Sequence, residues 1–261
     1  MSRSRYALPT LSLRFIPVWR RNLLVWRKLA IPSILGNFAD PMIYMLGLGY
    51  GLGSLVPDVG GVSYIAFLAA GTVCFSTMNS ATFEALYSAF SRMHVQRTWE
   101  AIMNAPVTLD DVALAELIWA ASKAFLSGLA ILVVVWALGL TTSLSSLWIL
   151  AVIPLIGLAF GALALAITAM AKSYDFFMYY FTLVITPMAM LCGVFYPITQ
   201  LPEPLQIFAL FLPLTHATAL VRPLLFGEVP ASPVLNVLVL LAYALVGFYA
   251  AVVLFRRRFL N

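Results

Sequence analysis

FYPITQLPEPLQ, residues 195–206, decides the fold. It follows one long apolar segment and precedes another, IFALFLPLTHATALV at 207–221, and carries a single charge, Glu203, beside Pro197, Pro202 and Pro204. Either it joins two ordinary transmembrane helices, or the region 196–232 dips into the membrane and turns back. The two readings place the C-terminus on opposite sides, so charge can arbitrate.

The setting is a membrane. Of 261 residues, 63% are hydrophobic and only 10% charged, with mean hydropathy +0.99; a soluble chain has roughly 45–50% apolar and about 25% charged residues. The apolar residues run in blocks near the length of a helical span rather than alternating, which predicts an all-α integral membrane protein and not a β-barrel. The net charge of +5 does not point to nucleic acid, because the basic residues flank apolar spans as topology alone requires. Cys74 and Cys192 fall inside spans with no metal or disulfide spacing, and read as packing residues. No cleavable leader is expected at an N-terminus that is basic and broken by Pro9 and Pro17.

A ruler of about 20 apolar residues per span gives spans near 32–56, 62–90, 112–138, 147–171, 176–195 and 233–255. With 196–232 kept on one side, six spans place thirteen cationic residues together: Arg3, Arg5, Arg14, Arg20, Arg21, Arg27, Lys28, Arg92, Arg97, Lys172, Arg256, Arg257 and Arg258. The other side has only Arg222, and Lys123 lies within a span. Such asymmetry marks the cytoplasmic side and predicts six spans with both termini cytoplasmic. Length agrees: Pro213 divides the doubtful region into pieces of about 15–20 Å, against a hydrocarbon core of ~30 Å. Two short apolar helices broken by proline predict a re-entrant hairpin; an irregular loop at the interface is the alternative.

Residues 1–31 form a separate segment before the membrane domain, 32–261. In LSLRFIPVWRRNLLVWRKLA, 11–30, Trp19, Leu23 and Trp26 share one helical face while Arg20, Arg21, Arg27 and Lys28 recur on the other, the pattern of an amphipathic helix lying in the interface. The loop SRMHVQRTWEAIMNAP, 91–106, is helix-competent and ends at Pro106; Thr108 to Asp111 then caps the third span. With Arg92, Arg97, Trp99 and Glu100 expected to stand exposed, this loop is either a connector or a docking knob for a cytoplasmic partner. Asp40, ahead of Pro41, is expected to cap or line a helix break. Gly47, Gly49, Gly51 and Gly53, and the pair Gly157/Gly161, are spaced for close helix contact.

Glu84 and Lys123 are the charges inside the spans. Glu84 lies about 10 Å above the end of its span near Ser91, and Lys123 roughly 16 Å from Val112, by helical rise. The lysine stem can reach back to the carboxylate, giving an interhelical ion pair; a substrate-facing or proton-coupling role is the alternative. No phosphate-binding loop, zinc motif or serine-nucleophile motif occurs.

These features resemble the permease subunits of ABC-2 type exporters, and within them the subgroup of nodulation-type exporters of lipooligosaccharides. The likeness rests on PMIYMLGLGYGLG at 41–53, on FEALYSAFSRMHVQRTWEAIMNAPVTLDDVALAELIWAASKA at 83–124, and on GVFYPITQLPEPLQ with LPLTHATALVRPLLFG within 193–227. It implies six transmembrane helices with an N-terminal amphipathic interface helix, a coupling helix at about 91–105, and a re-entrant helical hairpin at about 196–232 before the last span. It further implies two copies of this chain with two separate P-loop ATPase subunits, ATP and magnesium being held by the partner and no cofactor by this chain. Arg92, Gln96, Arg97, Trp99 and Glu100 would contact the ATPase. An amphiphilic substrate would leave the cytoplasmic leaflet of a bacterial inner membrane near the fifth span, where Tyr174, Phe177, Tyr179, Tyr180 and Phe181 offer stacking surfaces or, alternatively, form an interfacial aromatic belt. Pro197, Pro202, Pro204, Pro213 and His216 would shape a cap over the exit. Drug or antibiotic efflux through the same fold is a second reading, and a proton-coupled secondary transporter a third.

Overall fold

The structure, a computed structural model, describes residues 6–56 and 58–259, apart from the side chains of residues 34, 37, 38 and 40. Arg3 and Arg5 of the cationic set therefore lie outside the described residues, as does the side chain of Asp40.

The described chain is helical apart from one small hairpin. Helix α1, Phe15–Arg27, is followed by α2, Ala30–Gly51. Strands β1, Asp58–Val59, and β2, Val62–Ser63, pair antiparallel around Gly60–Gly61. Then come α3, Tyr64–Val95, the short α4, Thr98–Met103, α5, Leu109–Ala137, and α6, Ile149–Met170. Helix α7, Asp175–Leu191, precedes α8, Glu203–Ala209, α9, Pro213–Phe226, and α10, Pro233–Phe259. Among the described residues four segments are long and apolar enough to cross a membrane, α3, α5, α6 extended back to Leu144, and α10, and the bent pair α8–α9 makes a fifth if it is taken as one broken span.

Three boundaries depart from the sequence reading. Helix α2 continues through Pro41 and stops at Gly51, giving way to a turn at Leu52–Ser54 and the β-hairpin. Helix α3 does not end at 90: two π-turns, Glu84–Ser88 and Ser91–Val95, carry it to Val95. Only Thr98–Met103 of the 91–105 loop is a separate helix. Such π-turns are rare and concentrate at functional sites; here they span the stretch from Glu84 to Arg92.

Helix α3 is the central post, buried over most of its length against α5, α6 and α9. A Cβ on Gly157 would sit 3.0 Å from the Cα of Ala121, and one on Gly161 3.2 Å from Leu117. This pair is therefore spent on packing α6 against α5, whereas Gly47 and Gly51 have open space around them. A cluster of aliphatic side chains around Val73, Ile153 and Leu220 fills the middle of the bundle, and a second around Phe90, Trp99 and Phe255 fills one end.

That end gathers the N-terminal segment, α4, the start of α5 and the end of α10. Arg256 bonds Asp110 with 2.5 Å between Nη2 and Oδ2, and its guanidinium also donates to the carbonyls of Ala7 and Leu8. Thr10 and Ser12 donate to Asp110 and Asp111, while Arg258 caps the last carbonyls of α6. Thr108 and Asp111 form the predicted reciprocal cap at the start of α5.

The opposite end holds the bent pair. Helices α8 and α9 meet at 87° across the break before Pro213. Pro204 and Pro213 occupy first-turn positions, where a missing N–H costs nothing. Pro202 precedes α8, and Pro197 opens the short turn Ile198–Gln200. His216 is buried and ties the pair to α10: its Nδ1 lies 2.8 Å from Asn236 Oδ1 and its Nε2 2.9 Å from the Leu210 carbonyl.

Candidate functional site

The π-turns of α3 bring Glu84 and Arg92 onto α5. Arg92 Nη2 lies 2.8 Å from Glu84 Oε1 and 2.5 Å from Glu116 Oε2, and its Nε 3.0 Å from Glu116 Oε1. Lys123 Nζ stands 3.4 Å from the other Glu84 oxygen. The expected Glu84–Lys123 contact is thus one edge of a four-charge network whose shorter contacts run through Arg92. Both carboxylates are buried, and indole N–H groups occupy further acceptor sites: Trp119 donates to Glu84 at 2.8 Å and Trp99 to Glu116 at 3.2 Å. Buried charges persist only when paired and hydrogen-bonded in this way. Glu116 was missed from the sequence. Its signal is its place seven residues before Lys123, two turns along the same face of α5.

The network reaches α1 and α2. Lys123 donates to Ser33 at 2.9 Å, which also accepts from Trp26 at 3.0 Å; the Trp26 ring packs edge-on against Trp119. Trp19 donates to Ser122 of α5. The amphipathic helix therefore applies its Trp19–Leu23–Trp26 face to the bundle as well as presenting cations outward.

On its other side the network holds the α3–α4 turn, and here two expectations are corrected. Trp99 is fully buried, with its ring centroid 4.8 Å from that of Phe255 on α10. Arg92 is largely enclosed by its two carboxylates, its side chain 13% exposed. Neither stands exposed as the sequence suggested, because burial against Phe255 and Glu116 comes from elements far away in the chain. The exposed residues of the turn include His94, Val95, Gln96, Arg97 and Glu100. Arg97 adopts φ 49°, the only positive φ among the described non-glycine residues. A left-handed arginine costs roughly 1–2 kcal/mol, and it turns the chain from α3 into α4.

Beside the network lies a cleft. Two cavities of about 400 and about 470 Å³ share Ser33, Ser88 and Lys123 in their walls and so form one groove. The first opens at α1, past Arg21, Asn22 and Trp26; the second runs along α3 past Ser76, Asn79 and Ser80. Burial and the nearby Arg92 lower the Arg21 pKa, with Glu116 opposing. Of the five aromatics named from the sequence, the structure brings two to the groove, Tyr174 and Phe181. Phe177 is buried with ring centroids 5.2 Å from both Tyr87 and Phe90; Tyr180 packs against the core, and Tyr179 is exposed.

The site is thus an exposed turn clamped onto three long helices of a helical bundle, with a polar groove beside it. The profile of the ABC-2 type transporter family matches residues 14–226, and the chain belongs to that family. Among its relatives, Nodulation protein J of Rhizobium meliloti is 50% identical over 252 residues, 97% of this chain and 96% of the relative. Nodulation protein J of Bradyrhizobium diazoefficiens is 48% identical over 254 residues, 97% of each chain. The Escherichia coli inner membrane transport permease YadH is 24% identical over 197 residues, 71% of this chain and 72% of the relative.

Proposed function

We infer that this chain is the membrane subunit of an ATP-driven exporter in a bacterial inner membrane, with ATP hydrolysed by a separate P-loop subunit. In this reading α2, α3, α5, α6, α7 and α10 make six crossings, both termini are cytoplasmic, and the α8–α9 pair is a re-entrant cap on the outer side. Two copies of the chain and two ATPases assemble, and the cargo is an amphiphilic or lipid-linked saccharide taken from the cytoplasmic leaflet. The relatives named for nodulation favour that class of cargo over drugs.

The observation that carries the reading is the anchoring of the α3–α4 turn. Its outer surface, His94 to Arg97 with Glu100, is exposed, while its inner surface is bonded to α3, α5 and α10 through Arg92, Glu116, Trp99 and Phe255. A partner moving that turn as a rigid body would move three long helices with it, the form of coupling that a ligand-biased two-state element requires. Glu84 is held by Arg92, Lys123 and Trp119 together, which suits a fixed structural charge better than a proton carrier.

The test is co-expression with a candidate P-loop ATPase. Arg97→Glu and Glu100→Arg are expected to weaken copurification at least tenfold while leaving the chain folded. Gradient-driven transport by the chain without any ATPase would overturn the reading.

A further inference from the structure

The groove carries features that packing of the bundle does not use. Arg21, Arg92 and Lys123 stand in or beside it against Glu84 and Glu116, which leaves one cation in excess. Arg92 and Lys123 are matched to the carboxylates, whereas the guanidinium of Arg21 donates at 3.1 Å to the side-chain carbonyl of Asn22. Two further polar groups have no partner: Nδ2 of Asn22 and Oγ of Ser80, on residues only 3% and 4% exposed. A buried polar atom left unpaired costs about 1–3 kcal/mol, and in a native structure such an exception calls for an explanation, an unseen ligand being one. Asn22 lines the outer half of the groove and Ser80 the inner half. The shared wall carries the hydroxyl of Ser88, and the inner half adds the amide of Asn79 and the hydroxyls of Ser76 and Ser127, which bond each other at 2.7 Å. Each half falls within the size range of small-molecule sites, roughly 300–1,000 Å³.

We propose that this groove, lying within one copy of the chain, binds the headgroup of an anionic, hydroxyl-bearing amphiphile. Its acidic group sits at Arg21 and Asn22 beneath α1, and its hydroxyls reach inward to Ser80. The proposal rests on the reading that the chain handles an amphiphile, and it adds the charge of the headgroup and the place that recognises it. Helix α1 supplies the approach, since Arg20 and Lys28 on its exposed face attract anionic lipid to the mouth. Phosphate, sulfate and carboxylate share the required chemistry. The apolar tail would stay in the bilayer beside α2, so only the headgroup needs the groove.

The full-length chain in phosphatidylcholine nanodiscs provides the test. Spin-labelled phosphatidylglycerol, which joins a phosphate to two hydroxyls, is compared with spin-labelled phosphatidylcholine by the fraction of each that is motionally restricted. Phosphatidylglycerol is expected to be preferred, and Arg21→Gln to cut the preference at least tenfold, the size of losing a charge-assisted hydrogen bond and more than general attraction to an anionic surface accounts for. Arg20→Gln, on the exposed face, should cut it far less. Ser80→Ala should weaken phosphatidylglycerol retention without lowering the melting temperature, because the hydroxyl it removes has no partner in the ligand-free chain. Equal losses from Arg20→Gln and Arg21→Gln would assign the preference to general interfacial attraction and overturn the proposal. So would displacement of the lipid by inorganic phosphate at matched ionic strength, which would make the site one for a free anion. No ATPase is present, so loss of ATPase coupling and loss of this preference are separate failures.

Discussion

The two ends of the molecule are held by different chemistry. At the α4 end, charges are buried: Arg92 between Glu84 and Glu116, and Arg256 against Asp110. At the α8–α9 end the ties are mostly neutral side chains bonded to main-chain carbonyls. Thr141 donates to Leu225, Ser145 to Leu224, and Thr218 to Cys192. Arg222, half-buried, donates to the Gly193 carbonyl and lies 3.8 Å from the Phe67 ring centroid. Proline-broken helices free carbonyls that need donors, and hydroxyls meet that need locally. Ion networks join several helices at once and are intolerant of losing one member, which fits the coupling role proposed for that end.

Substitutions can break or sharpen this contrast. Arg92→Ala is expected to have the largest effect, destabilising the chain by about 3–5 kcal/mol, because it leaves two buried carboxylates facing each other; thermal unfolding in detergent measures it. A loss no greater than that of a neutral hydrogen bond would erase the distinction between the ends. Gly71→Ala should cost about 1–3 kcal/mol by overpacking, since a Cβ there would collide with the Val194 backbone at the start of the α8–α9 region. The same unfolding assay applies, and a neutral result would mean that this end yields easily. Thr218→Val should cost about 1 kcal/mol, the net value of one neutral hydrogen bond. Arg97→Gly should have the smallest effect on stability, neutral or slightly favourable by under about 1 kcal/mol, because glycine relieves the left-handed strain. Its effect on copurification with the proposed ATPase partner should be much larger than its effect on melting.

The sequence made the α8–α9 end readable and the α4 end only partly so. Prolines, helix lengths and the lone Glu203 are local signals, and they foretold two short helices parted before Pro213. The capping residues Thr108 and Asp111 were legible for the same reason. Glu84 and Lys123 stood out because charges are rare in spans, yet the nearer partner of Glu84, Arg92, lay in what read as an exposed loop. The two π-turns that extend α3 past that point leave no periodicity signature. Trp99 looked like a surface anchor because nothing local reveals that Phe255, more than 150 positions away, covers it. The Asp110–Arg256 pair spans a similar separation, and pairing of that kind is invisible in one sequence. The groove was half visible: Tyr174 and Phe181 were named, whereas Arg21, Asn22 and Ser80 became informative only when their partners, or lack of them, could be seen.

The account turns on the two ends lying on opposite faces of the membrane. Single cysteines at Arg97→Cys and at Glu228→Cys, Glu228 being exposed two residues past the end of α9, in a chain with Cys74→Ala and Cys192→Ala, test this with a membrane-impermeant maleimide. Glu228→Cys should label in intact spheroplasts, and Arg97→Cys only after the membrane is opened. Labelling of both positions from the same side would contradict the account.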